Sequence, residues 1–311
     1  MDLPYPNLTD EQAELAELAL SVLGADPESL IAGAQEGLFG VGTAEELGGS
    51  GGSFELLAPI LDVGGSLTAA SALPWVAGII LPALAMTDVQ GRVLSGLVSG
   101  ELTVAVPVNS PYSEVSGRLL AWGPSGADLI VVPRCFGNEA EIIVLDRGHK
   151  AWRASETPVL DSSRQLSMHA IDLENIPDGL TVDPAEIDRW EHGRILIAAF
   201  DSIGAAREAL SRTVRYAKVR QQFGRPLGSF QAYRHTCAVA YQRLRLVESL
   251  AYSTVRNADW STVEACRSIP RTAVWICSQA VQLHGATGFS EETGIGALLR
   301  RARANEMAVA S

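Results

Sequence analysis

Two loops, RQQFGRPLGSFQ at residues 220–231 and QLHGATGF at residues 282–289, concentrate side chains that could bind an anionic ligand. Their candidate residues are planar multi-donor side chains and glycines: Arg220, Gln222, Gln231, Gln282, Gly285 and Gly288. An arginine fork matches a phosphate, an amide both donates and accepts, and glycine admits a ligand close to the backbone. Together they could hold a nucleotide-like ligand. Helix capping and surface polarity would explain the same residues, and both interpretations stay open.

The predicted secondary structure of the chain that carries these loops changes twice along its length. Residues 1–103 are predicted to be helical, residues 104–185 to form a β domain, and residues 186–311 to be helical again. The middle region contains the short apolar runs LTVAVPV, RLLAWG, DLIVVPRCF and EIIVLD, with no long helical pattern between them. These runs predict a small antiparallel sheet or barrel, and the whole chain is assigned to the α+β class.

The C-terminal region is predicted to be an up-and-down bundle of four helices. The predicted helices are Ala185–Val219, Ser229–Ala258, Ser261–His284 and a fourth from Ser290. Ser261 has the capping-box spacing to Glu264, and Pro270 must kink or split the third helix.

Two patterns describe the N-terminal region. Thr9 and Gln12 have the spacing of a capping box before a helix, and TAEELGGSGGS predicts a flexible loop between helices. The most apolar stretch, from Ala72 to Met86, is shorter than a membrane span and contains two prolines, so it is predicted to be a buried helical segment.

The charge of the chain excludes several classes of partner. A net charge of −12 and a pI near 4.9 argue against nucleic acid and against an anionic membrane. The one small basic cluster, Arg300, Arg301 and Arg303, is predicted to be a solvated helix end.

The cysteines predict a reducing, cytoplasmic setting. The four of them show no C-x-x-C pair and no metal-type spacing. Cys266 and Cys277 are predicted to lie on one helix, about 16 Å apart along its axis, which is too far for a disulfide. The N-terminal residues lack the apolar segment of a secretory signal.

Three motifs resemble a known family. YAKVRQQFGRPLGSFQ, then AVQLHGATGF, then LLRRA are similar to the C-terminal bundle of the acyl-CoA dehydrogenases. The order of helical, β and helical regions and EELGGSGGS extend the resemblance over the chain. In that family, flavoproteins oxidise acyl-CoA thioesters to enoyl-CoA, with a carboxylate that takes the α proton and a flavin that accepts the β hydride.

The resemblance implies a cofactor role for the two loops. Their residues would contact the pyrophosphate and adenosine end of an FAD bound mainly by a neighbouring subunit. The implied cofactor-binding residues are Arg220, Gln222, Phe223, Gln231, Gln282, Gly285 and Ala286.

The sequence departs from the family at the catalytic base. The usual glutamate position falls on Val309, and the alternative position used by some members falls on Gly193. Neither residue can accept a proton. Glu191 and Glu306 are the nearest substitutes, although Glu191 would point roughly 200° away around its helix.

The middle region departs too. The stretches that wrap the flavin ring in the family correspond to AVPVNSPYSE and LLAWGPSGADLIVV, and Trp122 could be a remnant or a core aromatic. Such a chain resembles the shortened subunit of α2β2 dehydrogenases that act on steroid (cholesterol) side-chain CoA thioesters. The resemblance implies a homologous catalytic partner and an electron-transferring flavoprotein as acceptor. The alternatives are a self-sufficient dehydrogenase with an unusual base and an FAD-free scaffold.

Overall fold

A computed structural model describes residues 8–23, 28–45, 48–67, 88–107, 117–158, 160–164 and 166–310. The N-terminal helices are α1 (Asp10–Val22), α2 (Glu28–Gln35), α3 (Phe54–Leu67) and α4 (Asp88–Val98). The predicted capping box is confirmed, because the Gln12 N–H donates to Thr9 Oγ1 and the Thr9 N–H donates to Gln12 Oε1. The glycine-rich loop before α3 is closed by backbone hydrogen bonds, among them one from Gly51 N–H to the Thr43 carbonyl. The prediction for 72–86 lies outside the described residues.

The middle region forms a seven-stranded sheet with the order β5-β6-β2-β1-β3-β4-β7. Its strands are β1 (Val104–Pro107), β2 (Arg118–Pro124), β3 (Leu129–Phe136), β4 (Glu139–Asp146), β5 (Trp152–Pro158), β6 (Leu166–Asp172) and β7 (Leu180–Val182). The neighbouring strands pair antiparallel except β1 with β3, which pair in parallel. The antiparallel prediction was therefore wrong for this one pair. The sequence places β2 between β1 and β3, but in space β2 lies on the other side of β1.

Both faces of the sheet are buried. Along β3, Val131 belongs to the large core that the sheet shares with the helices, whereas Ile130 and Val132 belong to a second core on the other face. This alternation follows from the two-residue period of a strand.

The C-terminal region is the predicted bundle. Its long helices are α5 (Pro184–Val219), α6 (Gln231–Arg256), α8 (Ile269–His284) and α9 (Ile295–Ala308), with a single-turn helix α7 (Val263–Cys266) before α8. The carboxylate of Asp183 caps α5 by accepting from the Ala185 N–H. Pro270 splits the third predicted helix, since it stands in the first turn of α8.

Three local predictions were wrong. Ser261 is not a helix cap; its N–H donates to Asp259, whose side chain caps a 3-10 turn instead. Ser290 caps a 3-10 turn, and α9 starts only at Ile295. Cys266 and Cys277 lie on separate helices, α7 and α8, and all four cysteines are free.

Helix α3 crosses α5 at two glycines that bring the backbones together. A Cβ on Gly204 would lie 1.8 Å from the Asp62 carbonyl oxygen, and one on Gly65 would lie 1.9 Å from that of Asp201. No side chain fits at either position. The crossing therefore fixes α3 against the middle of α5, whose two ends carry positions that the sequence analysis singled out.

Candidate cofactor corner and base position

The first predicted loop is a hairpin at the end of α5. Strands β8 (Gln221–Gln222) and β9 (Arg225–Pro226) pair antiparallel, and the Leu227 N–H donates to the Arg220 carbonyl oxygen. Phe223 and Gly224 form the turn, with φ angles of 53° and 78°. Positive φ at both central residues is the geometry of a type I′ turn, which favours Asn-Gly over Phe-Gly. Phe223 is 90% exposed, and its ring lies T-shaped to that of Phe230 with the centroids 6.2 Å apart.

Helix α6 begins directly after this hairpin without a side-chain cap. Its N-cap residue is Phe230, and Gln231 is its first residue. The backbone N–H groups of the first turn of a helix have no partner inside the helix, and the macrodipole makes this end positive. The start of α6 therefore offers anion-binding donors beside the guanidinium-bearing hairpin.

The second predicted loop reaches the same end of the bundle. Gln282 lies in the last turn of α8, and Gly285 and Ala286 follow in a 3-10 turn. His284 stacks on Tyr216 of α5 with ring centroids 4.5 Å apart, which joins the end of α8 to the end of α5. Burial lowers the pKa of His284, so the stacked ring is neutral at pH 7. Gly285 has a φ of 62°, and a Cβ there would meet no atom within 4 Å.

We call the seven implied cofactor-binding residues the open corner: Arg220, Gln222, Phe223, Gln231, Gln282, Gly285 and Ala286. All are exposed, and within the described ranges none of their side chains makes a hydrogen bond or ion pair. By contrast, the neighbouring Arg225 lies over the Phe230 ring, 4.1 Å from its centroid. The donor set matches a pyrophosphate and the edges of an adenine, and the bare backbone at Gly285 leaves room for a planar group.

The two residues of the base position, Gly193 and Val309, lie at the opposite end of α5. Gly193 is buried near the start of α5, and Val309 is 2% exposed at the end of α9. Arg267 joins the two segments, because its Nη1 donates to the Val309 carbonyl oxygen at 2.8 Å and its Nη2 donates to Glu191 Oε1 at 3.1 Å.

Both substitute carboxylates are engaged in ion pairs. Arg194 donates twice to Glu191, from Nε at 2.9 Å and from Nη2 at 2.7 Å, in addition to the contact from Arg267. Glu306 pairs with Arg303 on the exposed side of α9. Each carboxylate is therefore already occupied by arginine side chains of its own chain.

The open corner and the base position are far apart. From Gly193 to Arg220 helix α5 advances by 27 residues, which at 1.5 Å per residue is about 40 Å. A ligand held at the open corner cannot present its reactive atom to the base position of the same chain at that distance.

Trp122 lies in the main core at 6% exposure, which favours its interpretation as a core aromatic. It sits in β2 opposite Val106 of β1 and Met168 of β6. The other stretch that departs from the family falls largely on 108–116, outside the described residues.

Sequence reasoning missed two ionic clusters. Arg301 is fully buried, which corrects the prediction of a solvated cluster at 300–303, and it donates to Asp201 from Nε and from Nη2 at 2.6 Å. Arg164, from the loop before β6, donates to the same carboxylate at 2.6 Å. Arg267 was missed as well. Its spacing of three residues from Glu264 was an available local signal for that pair, but its other partners, Glu191 and the Val309 carbonyl, are remote in sequence. Asp201 is equally remote from Arg301, so no local pattern identifies these contacts.

The C-terminal bundle matches a family model. The model for "Acyl-CoA dehydrogenase, C-terminal domain" matches residues 185–308, which include the ends of α5 and α8 that carry the open corner. In the part of the chain that the structure describes, no helix is long and apolar enough to cross a membrane.

One relative and two solved structures are similar to this chain. Acyl-CoA dehydrogenase FadE34 of Mycobacterium tuberculosis is 31% identical over 232 residues, which cover 71% of this chain but only 30% of FadE34. The solved Tcur3481-Tcur3483 steroid ACAD has a TM-score of 0.76 at 22% identity, covering 94% of this chain and 92% of that one. The ChsE4-ChsE5 complex from Mycobacterium tuberculosis has a TM-score of 0.77 at 18% identity, with 97% and 94% covered. At these identities the two structures establish the fold.

Proposed function

This chain belongs to the acyl-CoA dehydrogenase family, and we propose that it is an accessory subunit whose open corner completes the FAD site of a homologous catalytic subunit. The observation that carries the proposal is the contrast between the two ends of α5. At one end seven residues present free donors and bare backbone to the outside, and at the other the base position holds a valine and a glycine.

Each residue of the open corner would have a distinct task toward the FAD. The Arg220 fork and the N-terminal amides of α6 would neutralise the pyrophosphate. Gln222, Gln231 and Gln282 would donate to and accept from the adenosine end, and Phe223 would cover an apolar surface. When bound, the flavin supplies hydride acceptance in the oxidation of a CH–CH bond.

The proton in this reaction would be taken by a base on the catalytic partner. In this chain Val309 and Gly193 have no acceptor, and Glu191 is held by two arginines. This argues against a self-sufficient dehydrogenase that uses Glu191 or Glu306.

The proposed assembly is an α2β2 heterotetramer that acts on a bulky CoA thioester, a steroid (cholesterol) side-chain intermediate. Two similar structures support this proposal, since one is described as a steroid ACAD and the other as a complex of two chains. An electron-transferring flavoprotein is the proposed acceptor, and the free thiols suit a cytoplasmic setting.

The proposal is tested by expressing the chain alone and together with a catalytic dehydrogenase subunit from the same operon. Flavin absorbance per chain and bleaching by an acyl-CoA are measured for both preparations. We expect flavin and bleaching only in the complex. One FAD per chain in the lone protein, bleached by an acyl-CoA, contradicts the proposal. A complex without flavin in its shared sites supports the scaffold alternative instead.

A further inference from the structure

Two stacked rings lie where helices α5 and α8 end and the open corner begins. Tyr216 is half-buried and Ala217 is buried, whereas the three residues after them are exposed. His284 is the last residue of α8 and is 6% exposed, whereas Gly285 and Ala286 after it are exposed. The rings of Tyr216 and His284 stack with an angle of 22° between their planes. The stack therefore joins the two helices at the point where both loops leave the bundle.

Backbone and side-chain hydrogen bonds tie each half of the open corner to one of these residues. The Arg220 N–H donates to the Tyr216 carbonyl oxygen at 2.9 Å, and the hairpin closes on Arg220 through the Leu227 N–H. In the second loop, Thr287 Oγ1 donates to the His284 carbonyl oxygen at 2.8 Å. A movement of either ring with its backbone is therefore passed on to the hairpin or to the turn.

The His284 ring is itself held in one orientation. Its Nδ1 lies 2.8 Å from the Ala280 carbonyl oxygen one turn earlier, and because a carbonyl only accepts, Nδ1 carries the proton in this contact. Gly288 packs against the same residue, since a Cβ there would lie 3.1 Å from the His284 Cβ and 2.5 Å from the Val281 carbonyl oxygen. The ring is therefore a fixed support on which Tyr216 rests.

The stack has no substitute between the two halves of the corner. Among the described residues, no hydrogen bond or ion pair joins the hairpin at 220–229 to the turn at 285–289. Helix ends fray, so packing deeper in the bundle does not by itself hold the last turns of two helices in register. The spacing of the two halves therefore depends on the ring contact.

We propose that His284 is a positioning residue of the open corner: stacked on Tyr216, it sets the distance between Arg220 and the Gly285 backbone and thereby the affinity for FAD. The proposal rests on the proposed function, and it gives His284 no contact with the cofactor. Hydrogen bonds hold only within a few tenths of an ångström, so a guanidinium displaced by about 1 Å loses its grip on a pyrophosphate.

Two other common uses of a histidine do not fit His284. Proton transfer at the base position is out of reach, because His284 stands beside the C-terminal end of α5 and Gly193 lies about 40 Å away along that helix. Metal binding is not supported either, since the described ranges contain no group of three histidine, cysteine or carboxylate side chains that could hold an ion.

The test titrates FAD into the co-expressed complex after its flavin has been removed, and flavin fluorescence gives the dissociation constant. His284→Ala deletes the ring, His284→Phe keeps one, and His192→Ala is the matched control, because it deletes a histidine stacked on Trp260 at the other end of α5. We expect His284→Ala to weaken FAD binding by about 10-fold, His284→Phe to stay within about 2-fold of the wild type and His192→Ala to change nothing.

A double variant separates positioning from a general loss of structure. If His284 acts through Arg220, then Arg220→Ala/His284→Ala should bind FAD no more weakly than Arg220→Ala alone. A merely structural effect would add its own loss of about 10-fold in the double variant. Tyr216→Leu deletes the stack from the α5 side and should reproduce His284→Ala, and circular dichroism checks that each variant is folded.

Hydrogen exchange in the lone chain tests the positioning without flavin. The amides of Arg220 and Leu227 should exchange about 10-fold faster in His284→Ala than in the wild type and in His284→Phe. Three results would overturn the inference: unchanged exchange, FAD binding by His284→Phe as weak as by His284→Ala, or additive losses in the double variant. Faster exchange in a chain whose complex binds FAD equally well without Arg220 would refute the proposed function and leave the support of the hairpin by His284 standing.

Discussion

The polar side chains at the two ends of helix α5 differ in whether they are paired within the chain. At its C-terminal end the open corner leaves Arg220 and three glutamines without partners among the described residues. At its N-terminal end Glu191 accepts hydrogen bonds from Arg194 and Arg267, and Arg267 also donates to the Val309 carbonyl oxygen. At the C-terminal end of α5, donor side chains have no acceptor among the described residues. At the N-terminal end, the carboxylate is paired with arginines of the same chain.

This difference indicates where a ligand is needed. Polar groups that are paired internally contribute to stability, and their removal should destabilise the fold. Exposed groups that are unpaired within the chain contribute little to stability and are available to bind a ligand. Variants at the two ends should therefore separate stability from cofactor binding.

The largest stability effect should come from the buried cluster that joins α5 to α9 and the middle region. Although burial alone would raise the pKa of Asp201, Arg301 and Arg164 lower it to about 2. Replacing Arg301 with alanine leaves this buried carboxylate without its main partner, so we expect a loss of about 4 kcal/mol in the free energy of unfolding. Urea unfolding measures it. Arg220→Ala, the matched arginine of the open corner, should change stability by less than about 0.5 kcal/mol. Equal losses of unfolding free energy in Arg301→Ala and Arg220→Ala would contradict the distinction between internally paired and unpaired arginines.

A smaller loss is expected at the base position. Arg267→Ala removes the link between Glu191, Glu264 and the Val309 carbonyl, and we expect about 2 kcal/mol of destabilisation by urea unfolding. Freeing Glu191 from this arginine should produce no dehydrogenase activity in the lone chain, because Arg194 still holds it. Acyl-CoA-dependent flavin bleaching by this variant alone would show that the position is a masked active site.

The buried cluster of Asp62, Arg207 and Glu248 should make stability depend on pH. Burial raises the pKa of Glu248 to about 7 despite the attraction of Arg207 and Arg245, and the negative charge of Asp62 adds to the rise. The folded chain then keeps a proton between pH 4.5 and 7 that the unfolded chain releases, so the free energy of unfolding should fall as the pH rises through this window. The fall should be up to about 3 kcal/mol. Urea unfolding at several pH values should show a flatter slope for Glu248→Gln, and the slope of Arg220→Ala should match the wild type. A Glu248→Gln slope identical to the wild type would refute this assignment.

A small stability change of the opposite sign is expected at the turn of the hairpin. Asparagine accepts the φ of 53° at position 223 more readily than phenylalanine, so Phe223→Asn should stabilise the lone chain by about 1 kcal/mol. Thermal unfolding measures this gain. The same variant should lower the flavin content of the complex, because the exposed ring is lost. A gain in stability with unaltered flavin content would remove Phe223 from the proposed site.

The sequence predicted the bundle well and the ionic clusters poorly. The ends of α5 and the split at Pro270 follow from local signals, namely an Asp-Pro start, a Gly-Arg-Pro stop and a proline inside a helical pattern. Arg301 was wrongly predicted to be solvated, because its partner Asp201 is 100 residues away and no local rule pairs them. The parallel pairing of β1 with β3 was missed for the same reason, since it depends on where β2 is inserted in space.

Arg220 and the glutamines of the candidate site were singled out in the sequence because their types are unusual for a turn, whereas Phe223 and Ala286 were added from the family resemblance. Their shared position was not predictable from type alone, since it requires α5 and α8 to end at the same side, joined by the stack of Tyr216 on His284. The separation of about 40 Å between this corner and Gly193 follows from the length of α5, which the sequence had already predicted to be one continuous helix over residues 185–219.

The central claim is tested most directly by the flavin retained in the co-expressed complex when Arg220 is changed to alanine, with Arg225→Ala as the control. Both variants remove one arginine from the same hairpin, but Arg225 already packs on Phe230, whereas Arg220 makes no hydrogen bond or ion pair with any residue that the structure describes. Arg220→Ala should weaken FAD binding by about 10- to 100-fold, read as flavin lost on gel filtration, while Arg225→Ala should retain most of the flavin. Equal flavin retention in the wild type and in Arg220→Ala would contradict the assignment of the open corner to a partner's cofactor.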